Sequence, residues 1–475
     1  MRGTKIVATL GPASDPLIDT LVKSGVDVFR VNFSHGSHAE HGRRIELVRA
    51  AAVAANRFVA ILADLQGPKI RIGKFADTDA IELETGATFA IDASLADNAG
   101  DANQISTTYA NLAAEISPND ILVLGDGLIE LAVKGVVNNR IECLVTVGGR
   151  LGASQGINKR GGGLSAPALT SKDEQDIAFA CAREVDYIAV SFPRSAADMH
   201  QARGLIKQHG GACGLVAKLE RAELVRDEDE LTALILASNA VMVARGDLGI
   251  EIGDAALMGV QKHIIKRARS LNRSVITATQ MMESMITNPR PTRAEVMDVA
   301  NAVLDGSDAV MLSGETAIGK YPVETVRSMI EVVEGAEASI QEQPSQTTSY
   351  ACEMIDDAVA MAAMNIADHL TGVRAVGCLT SSGNTPKLMS RSRSTLPIYA
   401  LASDHKTLAK VALFRSVHPV LFEADHLDYD RINEEAVLCL QRDGAVKKGD
   451  RVILSKGDYR NAQGGTNTLK ILEVQ

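Results

Sequence analysis

A chain of 475 residues is too long for one ordinary hydrophobic core and predicts two or three domains, for which its 46% of apolar residues is sufficient. Its formal net charge of -10, with acidic and basic residues interspersed, argues against a nucleic-acid partner, which requires a basic face. The six cysteines form no Cys-x-x-Cys pair and show no zinc-type spacing with histidine, so neither a zinc site nor a disulfide framework is indicated. With no signal-peptide core and no membrane-length apolar run, we expect a cytoplasmic protein without a membrane partner.

Eight short apolar runs rich in Val, Ile and Ala follow one another, mostly separated by segments of helix length. They occupy residues 5–10, 26–31, 58–65, 187–192, 215–219, 240–244, 274–279 and 309–312. This alternation is typical of a parallel sheet covered by helices, and eight such units predict a (β/α)8 TIM barrel. We therefore expect an α/β protein whose barrel domain has two parts, residues 1–66 and 164–340.

The segment between the third and fourth runs has little helical periodicity. It alternates strand patterns with turns such as Glu84-Thr-Gly86 and Asp126-Gly127, which predicts a small β-barrel domain inserted over residues 67–163. The polar, Gly-rich stretch 152–163 has the composition of a hinge, so we expect the inserted domain to move as a lid.

A polar segment, residues 341–349, follows the last helix of the predicted barrel and indicates a domain boundary. Over residues 350–475, helix and strand patterns alternate again and predict a separate α/β domain. Its predicted helices cover residues 356–369 and 430–442, and its predicted strands cover residues 375–379, 398–401, 451–455 and 469–474.

Two opposite charges end the fifth apolar run. Lys218 and Glu220 face the same side of that strand, because strand side chains alternate with period two. Burying either charge alone costs several kcal/mol, on the order of what an ionic partner offsets, so each needs a counter-charge, a metal or an anionic ligand. A structural ion pair and a functional site are both compatible with this stretch alone.

Polar residues also end five of the other strands, where the active sites of (β/α)8 barrels lie. They are Arg30, Asn32 and Ser34 after the second strand, Asp64, Lys69 and Arg71 after the third, Gly246 and Asp247 after the sixth, Thr279 after the seventh, and Ser313 and Glu315 after the eighth. Six polar strand ends at one mouth of the barrel argue against a purely structural explanation.

The types of these residues indicate phosphoryl transfer. Glu220 and Asp247 are carboxylates from neighbouring strands and suit a hard cation such as Mg²⁺ (or Mn²⁺), while Lys218 and Arg30 add positive charge beside it. The strand ends offer no nucleophilic Cys and no Ser-His pair, which fits a reaction catalysed by positioning and charge neutralisation. Thr279 precedes a helical stretch, so its hydroxyl and the helix N-terminus can bind a carboxylate.

Over essentially the whole chain, these motifs resemble the pyruvate kinases, and in particular their bacterial members. The matching stretches are Thr4-Lys-Ile-Val, Gly11-Pro-Ala-Ser14, Arg30-Val-Asn-Phe-Ser-His-Gly36, Asp64-Leu-Gln-Gly-Pro-Lys-Ile-Arg71, Lys218-Leu-Glu220, Arg245-Gly-Asp-Leu-Gly249, Thr279-Gln-Met-Met-Glu-Ser-Met285, Asn288-Pro-Arg-Pro-Thr-Arg-Ala-Glu295 and Met311-Leu-Ser-Gly-Glu-Thr316. The resemblance implies transfer of the phosphoryl group of phosphoenolpyruvate to ADP, which gives ATP and pyruvate in the last step of glycolysis.

The resemblance also implies a role for each matching residue. Glu220 and Asp247 are expected to hold the divalent cation, and Lys218 and Arg30 to stabilise the phosphoryl group during transfer. Thr279, Gly246 and Asp247 are expected to bind the substrate, with Thr279 and the backbone near Gly246 seating its carboxylate. Asn32 and Arg71, with the lid, are expected to contact ADP.

Two positions depart from the pattern of many family members. Where potassium-dependent members carry Thr, Lys and Glu, this chain has Leu65, Gln66 and Lys69, beside Asn32, Ser34 and Asp64, which help to hold the ion in those members. Lys69 therefore places a fixed ammonium in the monovalent-cation region, and we expect activity without K⁺. Gln155 stands where many members carry a lid lysine for the nucleotide, which leaves the affinity for ADP open.

In the C-terminal domain, the turn Thr380-Ser381-Ser382-Gly383-Asn384-Thr385 lies between a predicted strand and a helix and offers hydroxyl and N–H donors. From the residues alone, a plain turn is as compatible as an anion site. The resemblance, with residues 464–468 as a facing loop, implies an allosteric phosphate site for a sugar monophosphate or AMP, and a homotetramer.

Two other functions remain open. A magnesium-dependent carbon-carbon lyase acting on an enolate would share the metal, the cations and the carboxylate seat, but it would not need a lid. A non-catalytic sensor would use only the C-terminal phosphate site, against which the intact strand-end residues argue. The dependence of pyruvate formation on nucleotide separates the three.

Overall fold

The structure is a computed structural model that describes residues 2–340, 352, 354–392, 394–424, 427, 431–458 and 465–475. The predicted boundary segment 341–349 lies outside these residues. The strands are β1 (Lys5–Thr9), β2 (Val28–Asn32), β3 (Ala60–Asp64), β4 (Ala80–Leu83), β5 (Thr88–Asp92), β6 (Gln104–Ile105), β7 (Ile121–Leu124), β8 (Ile129–Val137), β9 (Arg140–Val147), β10 (Gly149–Gly152), β11 (Ile157–Lys159), β12 (Tyr187–Val190), β13 (Gly214–Leu219), β14 (Ala240–Ala244), β15 (Ser274–Ala278), β16 (Ala309–Leu312), β17 (Val373–Leu379), β18 (Ile398–Ala402), β19 (Val417–Leu421), β20 (Arg451–Gly457) and β21 (Thr466–Glu473).

The helices are α1 (Ile18–Ser24), α2 (His38–Ala54), α3 (Leu112–Glu115), α4 (Ser171–Ala182), α5 (Ala196–Gln208), α6 (Ala222–Arg226), α7 (Glu228–Ala237), α8 (Arg245–Ile252), α9 (Asp254–Ser270), α10 (Arg293–Asp305), α11 (Gly314–Ala317), α12 (Pro322–Ile340), α13 (Ile355–His369), α14 (Asn384–Met389), α15 (His405–Val411) and α16 (Ile432–Arg442). Short 3-10 helices cover Asp15–Leu17, Gly125–Gly127 and Glu283–Ile286. Among the described residues, no helix is long and apolar enough to span a membrane.

Eight strands close into the predicted barrel in the order β1-β16-β15-β14-β13-β12-β3-β2, and every neighbouring pair is parallel. Their side chains are buried almost throughout, because one face fills the barrel and the other packs against the surrounding helices. This burial on both faces is why each strand appears in the sequence as an apolar run. The eight predicted strands are confirmed, although β2 and β3 begin two residues later than expected.

The segment between β3 and β12 contains the predicted insertion. Its strands form a six-stranded sheet, β11-β7-β8-β9-β5-β6, and a two-stranded sheet, β10-β4, around one apolar core. Residues 70–73 join the two ends of the six-stranded sheet, because Arg71 bridges to Gly156 beside β11 and Ile72 bridges to Thr107 beside β6. This pairing closes the sheet, as expected of a small β-barrel. Shifts of register between β8 and β9 accompany this arrangement, since bulges bend and twist a strand.

The C-terminal domain is a five-stranded sheet in the order β19-β18-β17-β20-β21, with only β21 antiparallel. The prediction missed β19 because His and Pro interrupt the apolar pattern of its sequence, Val-His-Pro-Val-Leu. Pro419 is tolerated there because β19 lies at the edge of the sheet, where one side of the strand needs no ladder. The helix expected after the turn 380–385 is α14, whereas α15, which is only seven residues long, was missed.

The C-terminal domain contacts the barrel at the amino ends of the barrel strands. Arg391 forms a buried ion pair with Asp308, which directly precedes β16. Lys5 Nζ donates a hydrogen bond to the carbonyl of Val417 (2.6 Å), and Tyr187 Oη donates one to the carbonyl of Lys410 (2.7 Å). The opposite mouth of the barrel, where the strands end, therefore remains available to the inserted domain.

Candidate active site

Lys218 lies at the centre of a buried charge cluster at the carboxyl end of β13. Its Nζ donates to Glu220 Oε1 at 2.9 Å and to Ser191 Oγ at 2.7 Å, and it lies 3.4 Å from Asp64 Oδ1. Arg30, at the end of β2, donates from Nε to Asp64 Oδ2 at 2.7 Å. Closure of the barrel thus brings together residues from four strand ends that are distant in sequence.

The protonation states in this cluster follow from burial and charge. Burial opposes the ionisation of Asp64, but the positive charges of Lys218 and Arg30 outweigh it and lower the pKa of that carboxyl. Burial likewise opposes the charge of Lys218, yet Asp64 and Glu220 raise the pKa of its ammonium. Lys218 is therefore held as a cation beside Asp64.

Glu220 differs from Asp64 because burial and the neighbouring Asp247 raise the pKa of its carboxyl, against the opposing effect of Lys218. Its side chain is 1% exposed, and its Oε2 accepts the N–H of Phe192 at 2.8 Å. A divalent cation between Glu220 and Asp247 would remove the repulsion that raises this pKa.

The carboxylates of this cluster suit a hard cation that keeps open coordination positions. Glu220 and Asp247 supply two carboxylates, and no group of three or more His, Cys, Asp or Glu side chains with metal-ligand geometry occurs among the described residues. Mg²⁺ is commonly bound through one or two protein carboxylates, with water and substrate oxygens completing its octahedron. A closed structural metal site would need more protein ligands than this cluster offers.

Lys69, on the connection into the lid, lies next to Asp247. Its Nζ is 3.2 Å from Asp247 Oδ1 and 3.9 Å from Asp126 Oδ1, which belongs to the inserted domain. The sequence placed Lys69 in a monovalent-cation region with Asn32, Ser34, Asp64 and Leu65. In the structure, Asn32 and Asp64 are register partners at the ends of β2 and β3, and Asn32 Oδ1 accepts the N–H of Ser34 (3.1 Å). Leu65 follows Asp64, so these four residues lie together, whereas Lys69 pairs with Asp247.

Thr279 follows β15 in the left-handed region, with φ of 67°, which is rare for a β-branched residue. Its Oγ1 accepts the N–H of Gly246 at 2.8 Å and donates to the carbonyl of Ala278 at 2.6 Å. The carbonyl of Thr279 accepts Arg245 Nη2 at 2.7 Å, so this conformation is held from the start of α8. Thr279, Gly246 and Asp247 are therefore brought together as predicted.

Of the two predicted nucleotide residues, Asn32 ends β2 opposite Asp64, whereas Arg71 lies on the lid connection. Arg71 is half-buried on the lid connection, and its Nη1 donates to the carbonyl of Ser154 at 2.9 Å. Gln155, next to it, has a buried Oε1 without a hydrogen-bond partner among the described residues. Leu65 is buried, and only its carbonyl takes part in the site, through Ser191.

Two residues at this mouth were given no individual role by the sequence analysis. Ser191 directly follows β12 and donates to the carbonyl of Leu65 at 2.7 Å, which turns its lone pairs toward Lys218. Arg245 holds Thr279 and forms an ion pair with Asp298 at 2.7 Å. The position of Ser191 at a strand end was available as a signal, but a lone serine after an apolar run is too common to stand out.

Glu315 and Ser313, after β16, form a second buried polar group. Burial raises the pKa of Glu315, whose oxygens accept the N–H groups of Ser313 (2.6 Å) and Met282 (3.2 Å). Ser313 Oγ is buried without a hydrogen-bond partner among the described residues. An ordered water at Ser313 would satisfy that hydroxyl.

The predicted effector turn is well connected internally. Thr380 Oγ1 accepts the N–H of Gly383 at 2.9 Å, and Asn384 Nδ2 donates to Asp356 at 2.8 Å. Thr385 Oγ1 lies 2.7 Å from Thr466 Oγ1, so the start of β21 faces the turn as expected. Ser381 is exposed and Ser382 is half-buried, whereas Gly464 of the facing loop lies outside the described residues.

Two family models match the chain. The pyruvate kinase barrel domain matches residues 1–326, and the pyruvate kinase alpha/beta domain matches residues 357–472. The chain is 50% identical to pyruvate kinase II of Salmonella typhimurium, with 100% of the chain and 99% of the relative aligned. It is 49% identical to a pyruvate kinase of Buchnera aphidicola subsp. Baizongia pistaciae (100% and 99% aligned) and 41% identical to that of Geobacillus stearothermophilus (99% and 80% aligned). Together with the barrel and its strand-end charges, these matches show that the chain belongs to the pyruvate kinase family of phosphotransferases.

Proposed function

We propose that the chain transfers the phosphoryl group of phosphoenolpyruvate to ADP, giving ATP and pyruvate, with Mg²⁺ or Mn²⁺ held by Glu220 and Asp247. The observation that carries this proposal is the buried cluster in which the ammonium of Lys218 lies between Asp64 and Glu220, with Asp247 close enough to raise the pKa of Glu220. Such a cluster supplies fixed positive charge and a pair of metal-binding carboxylates at one point, which is what phosphoryl transfer requires.

Lys218 and Arg30 provide that fixed charge in the proposed reaction. The raised pKa of Lys218 keeps it a cation, so its ammonium neutralises charge on the phosphoryl oxygens and then on the enolate oxygen without first acquiring a proton. Arg30 is oriented by Asp64 and by Thr9, whose Oγ1 accepts Nη1 at 3.0 Å. A bound divalent cation would supply further neutralisation of substrate oxygens.

The substrate carboxylate is proposed to bind at Thr279 and the start of α8. The first N–H groups of a helix have no intrahelical acceptor, so an anion is favoured there. In the structure, the N–H of Gly246 donates to Thr279 Oγ1, whose own proton is donated to the carbonyl of Ala278, so the backbone N–H groups after Gly246 are the donors left for the carboxylate. The hydroxyl of Thr279 would join them by turning away from Ala278. The N–H groups belong to Asp247 and the residues that follow it in α8.

Protonation of the enolate completes the proposed reaction. The unpartnered hydroxyl of Ser313 and the raised pKa of Glu315 support a water-filled proton path beside Thr279. The lid, with Asn32 and Arg71, is proposed to hold ADP and to exclude the water that would compete as phosphoryl acceptor. A lyase would have no use for such a lid.

Three further proposals concern ions, regulation and assembly. The ammonium of Lys69 beside Asp247 supports activity without K⁺. The turn 380–385 presents the exposed hydroxyl of Ser381 and lies against Thr466 through Thr385. This arrangement supports binding of a phosphorylated activator, a sugar monophosphate or AMP, through Thr380, Ser381, Ser382, Asn384 and Thr385. We further propose a cytoplasmic homotetramer, as the family resemblance implies.

One assay tests the catalytic proposal. Pyruvate formation from phosphoenolpyruvate with Mg²⁺ is measured with and without ADP, in a sodium-only buffer and then with K⁺ added. Turnover that requires ADP and ignores K⁺ is the expected result. Pyruvate formation without ADP would mean that water accepts the phosphoryl group and would contradict the proposal. No pyruvate formation with any added sugar monophosphate or AMP would favour the lyase or the sensor.

A further inference from the structure

Residues 157–159 of the predicted hinge 152–163 form β11, so the hinge is here taken as the exit of the lid, residues 161–164. The segment that carries Glu220 continues directly into a contact with this hinge. Arg221 is 4% exposed; its Nη2 donates to the carbonyl of Leu164 and its Nε donates to Glu223 Oε1 at 2.6 Å. Glu223 Oε2 in turn accepts the N–H of Gly163 at 3.3 Å. Arg221 and Glu223 therefore bind the hinge backbone from the residues that follow Glu220.

The helix that carries Asp247 reaches the same hinge. Glu251, one helical turn after Asp247, accepts the N–H of Ala222 at its Oε2 (2.7 Å) and the N–H of Gly161 at its carbonyl (2.8 Å). It is 5% exposed, so these contacts are buried. Both proposed metal-binding carboxylates thus belong to segments that are hydrogen-bonded to the hinge.

Gly162 lies at the centre of this contact. Gly162 has φ of 75°, and a Cβ there would lie 2.1 Å from Glu223 Oε2 and 3.0 Å from Glu251 Oε2. The backbone conformation favours glycine, and two carboxylates pack closely against the position. Because Glu223 and Glu251 also accept hinge N–H groups, movement of the hinge breaks these hydrogen bonds or displaces the segments that hold Glu220 and Asp247.

We propose that Arg221 and Glu223 are positioning residues that couple the lid to the divalent-cation site, so that cation binding and ordering of the hinge favour each other. This inference rests on the proposed binding of the cation by Glu220 and Asp247. Neither Arg221 nor Glu223 touches substrate or cation in it. Because coupling between two sites is reciprocal, a cation that orders the hinge must bind more weakly when the hinge contact is cut.

The chain offers a matched control for cutting this contact. Glu223→Gln preserves the shape of the side chain and removes its charge opposite Arg221. Arg140 and Glu142 have the same spacing in the chain and the same Nε to Oε1 distance of 2.6 Å, but they lie on β9 of the lid. Glu142→Gln therefore makes the same chemical change without altering a hinge contact.

The test uses Mn²⁺ as the probe, with two readouts other than turnover. The dissociation constant of Mn²⁺ is measured from the electron paramagnetic resonance signal of the free ion. Hydrogen exchange of a peptide spanning residues 161–164 is measured with and without Mn²⁺. In the unaltered protein, we expect saturating Mn²⁺ to slow exchange in the hinge. Glu223→Gln should raise the Mn²⁺ dissociation constant by about fivefold, the low end of typical couplings, and abolish that slowing, whereas Glu142→Gln should change neither.

Two further variants separate the possible failures. If Glu220→Gln binds Mn²⁺ as tightly as the unaltered protein, the proposed metal site is wrong. If Glu220→Gln weakens binding but Mn²⁺ leaves hinge exchange in the unaltered protein unchanged, the site stands and the coupling is refuted. Arg221→Lys keeps the charge and should retain part of the coupling that Arg221→Met loses. Equal Mn²⁺ affinity in Arg221→Met and the unaltered protein would also refute the coupling.

Discussion

Replacing Lys69 by Glu tests whether a fixed ammonium takes the place of a monovalent cation. In the structure, Lys69 Nζ lies 3.2 Å from Asp247 Oδ1, and the side chain is 24% exposed. At this separation, two unit charges interact by roughly 1 kcal/mol with the dielectric constant of water and by roughly 5 kcal/mol with the effective value used near protein surfaces. Lys69→Glu turns this attraction into a repulsion beside the proposed metal site.

We therefore expect Lys69→Glu to lose at least ~10-fold in kcat/KM in a sodium-only buffer, since ~1.4 kcal/mol corresponds to a factor of ten. If a free cation can replace the missing ammonium, K⁺ should restore several-fold of that loss, while the unaltered protein remains insensitive to K⁺. The assay is steady-state pyruvate formation with ADP and Mg²⁺ during a K⁺ titration. Lys74→Glu, an exposed residue of the same connection, makes the same charge change as a control. Full activity of Lys69→Glu without K⁺ would refute the role given to Lys69.

Three other predictions concern charges elsewhere in the chain. Lys218→Met should lower kcat by at least ~100-fold in the pyruvate assay, because a preorganised charge is lost where the phosphoryl group transfers; a kcat within tenfold of the unaltered value would contradict this. Asp308→Asn leaves the buried Arg391 without a counter-charge and should destabilise the protein by ~3 to 5 kcal/mol in urea unfolding, with Glu46→Gln, at an exposed ion pair, as control. Burial raises the pKa of Asp186 to about 7, so the folded protein retains a proton that the unfolded chain releases between about pH 4 and pH 7. Stability should therefore fall as pH rises through this window. Asp186→Asn should remove that slope and raise the free energy of unfolding by at most ~4 kcal/mol above pH 7. If the midpoint temperatures of Asp186→Asn and the unaltered protein change in parallel with pH, this prediction is wrong.

The sequence predicted the barrel because its strands are buried on both faces. A strand such as β14, Ala240–Ala244, has no polar position at all, so burial is visible as an uninterrupted apolar run. The same regularity located Lys218 and Glu220, since a charge can end such a run only where the strand reaches the mouth of the barrel. β19 was not predicted because Pro419, which an edge strand tolerates, breaks its apolar run.

Other features were decided only by the tertiary structure. The pairing of Lys69 with Asp247 joins residues 178 positions apart, and it depends on how the lid connection crosses the mouth of the barrel. The contact of Ser191 with Lys218 depends on the register of β12 against its neighbours, which no local pattern encodes.

Local patterns were thus sufficient for the eight barrel strands, their order along the chain and the types of residue at their ends, because burial and side-chain alternation are local properties. Which of those ends meet was decided by the closure of the barrel. The left-handed conformation of Thr279 shows the difference most clearly, because a β-branched residue disfavours it locally. It is held instead by Arg245 from the neighbouring strand end, a contact that exists only in the folded chain.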